Sequence, residues 1–410
     1  MRSQRQIFSR LKPRIFLLKK TMKRLQTSLL AVFLSLSICA CTTTQLSADI
    51  DVPTRAKLAQ ISVNADGSDF RYWNKNSPSF QKLTAYVKEV TNPASSSFIP
   101  VEDRIAVFDL DGTLICETTP SYFEWMLYLE RVLNDAAYKP SPNEKAYAQM
   151  VKAGIYHIGI PNPVAGTGLE ASPNGAGLSA PKSLPKDISR EQARAQEAAF
   201  SGMSIADYDA YVKRFMQTPA EGMNNLARGD SFYLPMVEVL SYLSANRFKL
   251  FIVSGSDRQT VRILARGALP VDSDNIIGTD ARQYASHQGT TDGLDYRHTG
   301  DDVILRGEFI EKNLQMNKVS SISREIGKQP VLAFGNSSGD YSMFSYTVSN
   351  NKYKALAFAL LCDDTERELG NPGKASKVRA ACEANGWIPI SMKNDFRLIY
   401  GRNVKRADKY

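Results

Sequence analysis

Two carboxylates, Asp109 and Asp111, stand two residues apart directly after the apolar run Ile105–Phe108. Four β-forming residues closed by a turn signal read as a buried strand of a parallel sheet. Acids placed there sit at the strand's carboxyl end, where open α/β sheets bind their ligands. One acid of such a pair can attack an electrophile while the other moves a proton. Gly112 lets the backbone approach a ligand closely, and Thr113 can hold the turn by a local hydrogen bond. A bare Asp-x-Asp is a common solvated turn. Asp-x-Asp-Gly-Thr-Leu straight after an apolar strand is far more specific.

The same arrangement recurs twice. Phe248 to Val253 predicts a strand ending in Ser254-Gly255-Ser256-Asp257, where Ser254 offers a neutral donor to an oxyanion. Val331 to Phe334 predicts a third strand ending in Gly335-Asn336-Ser337-Ser338-Gly339-Asp340. Asn336 can ligate a hard cation through its amide oxygen, and Asp340 adds an acid. Ala355 to Leu361 and Trp387 to Ile390 read as further strands, with Asp363 and Asp364 at the tip of one. Phe309, Ile310 and Leu314 predict a helix carrying Lys312, with Lys318 as the competing cation. Residues 267–301 suit a β-hairpin excursion. Helical spacing also marks Phe80 to Val87, Tyr122 to Leu133, Asp187 to Phe200, Ser204 to Phe215 and the helix opened by Pro235.

These blocks, in this order, resemble the motifs of the haloacid dehalogenase superfamily, and specifically its phosphoserine-phosphatase-like branch. The resemblance implies an α/β fold: a Rossmann-like parallel sheet with an inserted helical cap. The core would be residues 70–118 plus 230–410. The cap would be 119–229, with an irregular loop at about 159–185. The implied activity is Mg²⁺-dependent hydrolysis of a small phosphomonoester through an aspartyl-phosphate. Asp109 would be the nucleophile and Asp111 the general acid and base, assisted by Ser254 and Lys312. Gly112 and Gly255 would border the phosphoryl group. Asp109, Asp111, Asn336 and Asp340 would hold the metal, although the family's usual Asp is Asn336 here. Having Asp at both Asp109 and Asp111 favours a phosphatase over a dehalogenase. A phosphotransferase using the same intermediate and an inactive binding protein stay open as alternatives. Glu117 matches, one residue early, an acid that meets a substrate amino group in that branch, and it is equally a helix N-terminal acid. The neighbouring aromatic residues suit either a cation or the cap's own core.

The net charge of +9 lies in the leader. Residues 1–40 hold nine basic residues and no acid, which leaves 42 Lys and Arg balanced by 42 Asp and Glu. The body is therefore not a polyanion binder by charge, and no nucleic-acid partner is expected. Met22-Lys23-Arg24, an apolar Leu29 to Ile38 and then Cys41 form a signal-peptide layout, with Met22 as an alternative start. Ile38-Cys39-Ala40-Cys41 resembles a bacterial lipobox, which implies lipidation of Cys41 and contact with the cell-envelope membrane through that anchor only. An ordinary cleaved signal is the alternative. Residues 41–69 would be a tether. Cys362 and Cys382 are either a disulfide or two buried thiols, and three His without a Cys/His cluster argue against zinc.

Overall fold

The computed structural model describes residues 49–117, 123–157 and 188–407. The signal peptide, Cys41, Tyr122 and the loop at 159–185 lie outside the described residues. The chain divides into Met1–Asp49 and Ile50–Tyr410, and the architecture below belongs to the second unit.

The strands are β1 (Ile105–Phe108), β2 (Met223–Asn224), β3 (Lys249–Asp257), β4 (Ile276–Ala285), β5 (Ile304–Glu311), β6 (Leu332–Gly335), β7 (Leu356–Leu361), β8 (Ile388–Ser391) and β9 (Lys405–Arg406). Seven of them form one sheet in the order β5-β4-β3-β1-β6-β7-β8. Every pair is parallel except the edge pair β4–β5. β2 and β9 form a small antiparallel pair. The fold is thus α/β with a mostly parallel, Rossmann-like sheet.

The sheet reads as apolar runs because both of its faces are covered. Side chains alternate across a strand, so Ala106 and Phe108 join one core with Ile252, Phe334 and Phe358. Ile105 and Val107 join the other with Val253, Ala333 and Ala359. Phe108, Phe334 and Phe358 stack across three neighbouring strands, with ring centroids 4.5 and 5.0 Å apart. The chain leaves β1 toward β3 on one side and reaches β6 on the other only later. β1 and β6 therefore flank the point where strand order reverses, the usual ligand crevice of such sheets.

Helices cover the faces. Pro78–Thr91 begins with the Ser77 hydroxyl accepting from Phe80 N–H and has Pro in its first turn. Between β1 and β3 come helices Phe123–Leu129, Pro142–His157, Ile188–Phe200 and Ile205–Met216. This insertion is joined to the core: Arg306 on β5 bonds Glu197 and Asp257.

Two expectations change. Phe309 and Ile310 lie in β5, an edge strand, not in a helix carrying Lys312. The stretch expected as a tether packs on the body from residue 50 onward. Leu58 and Val63 are buried, and the Arg55 guanidinium donates to the carbonyls of Gly229 and Leu264.

Candidate active site

Asp109 follows β1 directly. Its N–H donates to the Phe334 carbonyl at 2.8 Å, so strand pairing fixes the backbone beneath the carboxylate. Gly112 closes the next turn at φ +74°. A Cβ there would lie 1.8 Å from Asn336 Nδ2, so both the backbone angle and the close approach require glycine.

The amine that meets Asp109 belongs to Lys318, not Lys312. Lys318 lies on the short helix Met316–Ser321, is fully buried, and donates to Asp109 Oδ1 and Asp340 Oδ1, each at 2.7 Å. Burial works against its charge, but the two carboxylates hold its pKa above the ordinary lysine value. Asp109 is pushed well above the usual carboxylate range by burial and by Asp340, with Lys318 opposing. Lys312 lies after β5, and its amine is 3.7 Å from Glu124 Oε2. Lys318 was the weaker candidate only because a helix was expected one segment too early.

Asp111 sits beside the pair. Burial raises its pKa to about 6; a hydrogen bond from Ser256 opposes the rise, and Glu124 and Glu117 add to it. Ser256 Oγ donates to Asp111 Oδ2 at 2.7 Å, while Oδ1 is buried without a partner. Ser254, the serine expected to act, is fully buried and 3.5 Å from the same oxygen, accepting from Ser256 N–H at 3.0 Å. Of these two serines, Ser256 is the one that lines the cavity. Gly255 borders the cavity too, and a Cβ there would come 2.7 Å from Leu314.

Asn336 and Asp340 divide their roles. Asp340 Oδ2 accepts from the N–H groups of Asn336 and Ser337, and Oδ1 takes Lys318. Both of its oxygens therefore shape the loop. The Asn336 amide is buried against Gly112, and neither of its polar atoms has a partner. Among the described residues no group of three His, Cys, Asp or Glu gathers as a metal set. What stands at this point is the Asp109 carboxylate and an orphaned amide oxygen, hard oxygen donors of the type magnesium takes.

Glu117 is buried and bonded to Lys374 of helix Pro372–Asn385, so its charge is already answered. This differs from an acid waiting for a substrate amine. Asp363 accepts from Ser391, and Asp364 pairs with Arg367, so both are turn acids. Cys362 and Cys382 are separate buried thiols. Trp125 and the other aromatics of helix Phe123–Leu129 are buried, and Trp125 also lines the cavity.

The cavity over these residues measures about 230 Å³. Asp109, Asp111, Lys318 and Asn336 line it, and so do Glu124, Trp125, Ser189, Lys312 and Gln315.

A family model of haloacid dehalogenase-like hydrolases matches residues 104–297. Over that stretch the chain is similar to a haloacid dehalogenase-like hydrolase domain. The match runs from β1 through β4, and Lys318 and Asn336 lie beyond its end. Distant likenesses among solved structures include a conserved functionally unknown protein from Anaerococcus prevotii DSM 20548. It is 13% identical, covers 77% of this chain and 94% of that one, and has a TM-score of 0.43. Cytosolic 5'-nucleotidase IIIB bound to cytidine is 13% identical over 77% and 89%, with a TM-score of 0.42. A phosphoserine phosphohydrolase-like protein from Francisella tularensis subsp. tularensis SCHU S4 is 15% identical over 67% and 92%, with a TM-score of 0.34. A comparison with curated proteins finds no match.

Proposed function

We propose that this chain hydrolyses a small phosphomonoester through an aspartyl-phosphate on Asp109. The observation that carries the reading is one buried cluster. It places Asp109 beside a lysine, and Asp111 two residues on with one oxygen held by Ser256 and the other unpartnered. Asp109 attacks phosphorus while the ester bond breaks. Asp111, raised to about 6, carries the proton that the leaving oxygen needs. Its Oδ1, which no other group holds, is the oxygen that can deliver it. Asp111 then takes a proton from the water that cleaves the acyl phosphate, which restores Asp109. Lys318 offsets the charge of the approaching phosphate, and the cavity walls limit competing water.

Mg²⁺ is the cofactor of this proposal, with Asp109, the backbone carbonyl of Asp111 and Asn336 as its holders and Asp340 as the loop's support. When bound it would supply positive charge that keeps Asp109 ionised and screens two anions from each other. The substrate is small, because about 230 Å³ lies below the roughly 300–1,000 Å³ of drug-sized sites. The test is turnover of p-nitrophenyl phosphate with Mg²⁺ and with chelator. Metal-dependent turnover that disappears in Asp109→Asn supports the reading, and turnover that persists in the variant refutes it.

We also infer export and lipidation on Cys41, from the basic, apolar and Cys-ended order of residues 22–41. A lipid anchor of more than one chain binds membranes stably. Cys41→Ser should then release the protein from the envelope membrane fraction, and retention there would refute the anchor.

A further inference from the structure

The cavity carries a second message, about the leaving group. Two acids border the cavity beyond Asp111, and each already faces a lysine. Glu117 is bonded to Lys374. Glu124 Oε2 stands 3.7 Å from Lys312 Nζ, and its other oxygen accepts from Asp257 N–H at 2.7 Å. A cationic leaving group would need an acid whose charge is not answered. An anionic one would need a spare cation, and the charge of Lys312 is shared with Glu124. The wall is close to neutral, yet it is not apolar.

The Glu124–Lys312 separation is itself informative. At 3.7 Å the two are an ion pair but too far apart for a hydrogen bond. Lone pairs on Oε2 and protons on Nζ therefore face the same space. A hydroxyl accepts one hydrogen bond and donates another, so it can bridge the two. Among the described residues, Trp125, Ser189 and Gln315 also line the wall, with an indole surface and neutral polar groups. On the helix face that begins at Ser189, Gln192 and Gln196 follow at three- and four-residue steps. Their amides are fully buried and have no partner. Buried unpaired polar groups are costly, and these two stand on the helix that brings Ser189 to the cavity.

We propose that the leaving group is a neutral polyhydroxylated one, as in a polyol or sugar monophosphate, and that Glu124 and Lys312 select it through its hydroxyls. This rests on the phosphomonoesterase reading above. Glu124 and Lys312 are specificity-determining residues here, and Lys318 keeps the role at Asp109.

The test is kcat/KM with Mg²⁺ for five esters: glycerol 1-phosphate, propyl phosphate, glucose 6-phosphate, phosphocholine and p-nitrophenyl phosphate. Propyl phosphate matches glycerol 1-phosphate without the two free hydroxyls. Two hydrogen bonds to charged groups predict a preference of roughly 10²-fold or more for the hydroxylated ester. Phosphocholine should fall below both polyol esters. In Lys312→Met the glycerol-to-propyl ratio should collapse toward one. Glucose 6-phosphate separates a sugar from a short polyol as the source of the hydroxyls. If p-nitrophenyl phosphate is turned over but propyl phosphate or phosphocholine equals the polyol esters, the selectivity proposal is overturned and the phosphatase reading stands. If the folded protein turns over none of the five, the phosphatase reading fails and the proposal fails with it.

Discussion

Among the described residues, two of the buried charge clusters are built to opposite ends. At the junction of the insertion and the core, Arg306 meets Asp257 at 3.1 and 3.4 Å and bonds Glu197. Its guanidinium also lies 3.8 Å from the centre of the Tyr208 ring. Tyr208 in turn bonds Thr260 at 2.6 Å, and Thr260 N–H donates to Asp257. Charge there is answered by charge within a few ångströms, although Arg306 Nε and Glu197 Oε1 are left without a hydrogen-bond partner. Burial alone would raise the pKa of Asp257, yet Arg306 holds it below the ordinary value. At the tips of β1 and β6 the cluster is incomplete. Lys318 serves two carboxylates, Asp111 keeps one oxygen without a partner, and the Asn336 amide has none. Those orphaned atoms face a cavity, while the Arg306 side chain is 2% exposed. The comparison teaches that both clusters leave buried polar atoms without a partner, and that what separates them is the cavity: the residues of the first are packed away from it and fasten elements together, while those of the second line it.

The largest expected effect breaks the open cluster. Asp109→Asn should lower phosphatase kcat by roughly 10³-fold or more, since loss of a nucleophile removes the chemical step itself. Stability should change far less, which urea unfolding would measure. Arg306→Met should do the reverse. It leaves Asp257 and Glu197 buried without their cation, a loss of about 3–5 kcal/mol. The kcat of the fraction that stays folded should change much less than in Asp109→Asn. If Arg306→Met instead lowers kcat as strongly at unchanged stability, the division between the two clusters is wrong.

Asp111→Asn comes next, at about 10²- to 10⁴-fold on an alkyl phosphate. The loss on p-nitrophenyl phosphate should be smaller, because that leaving group needs less protonation. Equal losses would argue against Asp111 as the acid. The pH dependence follows from the same group. An acid with a pKa of about 6 carries its proton below that pH, so alkyl-ester turnover should fall as pH rises through it. The aryl ester should fall less over the same range.

The smallest effect concerns the wall beside the site. Gln315 holds φ +56°, a strained angle for a residue with a side chain. Gln315→Gly should relieve strain worth roughly 1–3 kcal/mol, less the greater entropy of glycine in the unfolded chain. A small rise in Tm would agree, and a marked fall would mean that the side chain supports the loop.

How much of this was readable in the sequence depended on the range of the interactions. β1, β3, β6, β7 and β8 were legible because strands covered on both faces are apolar throughout. Asp109, Asp111 and Asn336 were legible because each sits at the tip of such a strand. β5 was not. Its buried positions include Arg306, while Ile304 and Ile310 are exposed, the reverse of the usual pattern. It is a strand because it pairs with β4, and that misreading moved the expected helix and its lysine from Lys318 to Lys312. Glu117 was misjudged for a similar reason. Its partner Lys374 lies 257 residues away, a distance over which no local pattern can signal a pair. Ser256 was overshadowed by Ser254, since only the path of the strand end decides which hydroxyl meets Asp111.

The central claim is that phosphorus is transferred to Asp109. The direct measurement uses Asp111→Asn, which should slow release of the acyl phosphate. The variant is mixed with p-nitrophenyl phosphate and Mg²⁺, quenched in acid, and digested for mass spectrometry. The account predicts one phosphoryl group on the peptide containing Asp109, formed with a burst of nitrophenol. Nitrophenol release with no label on that peptide, or with the label on another residue, would contradict it.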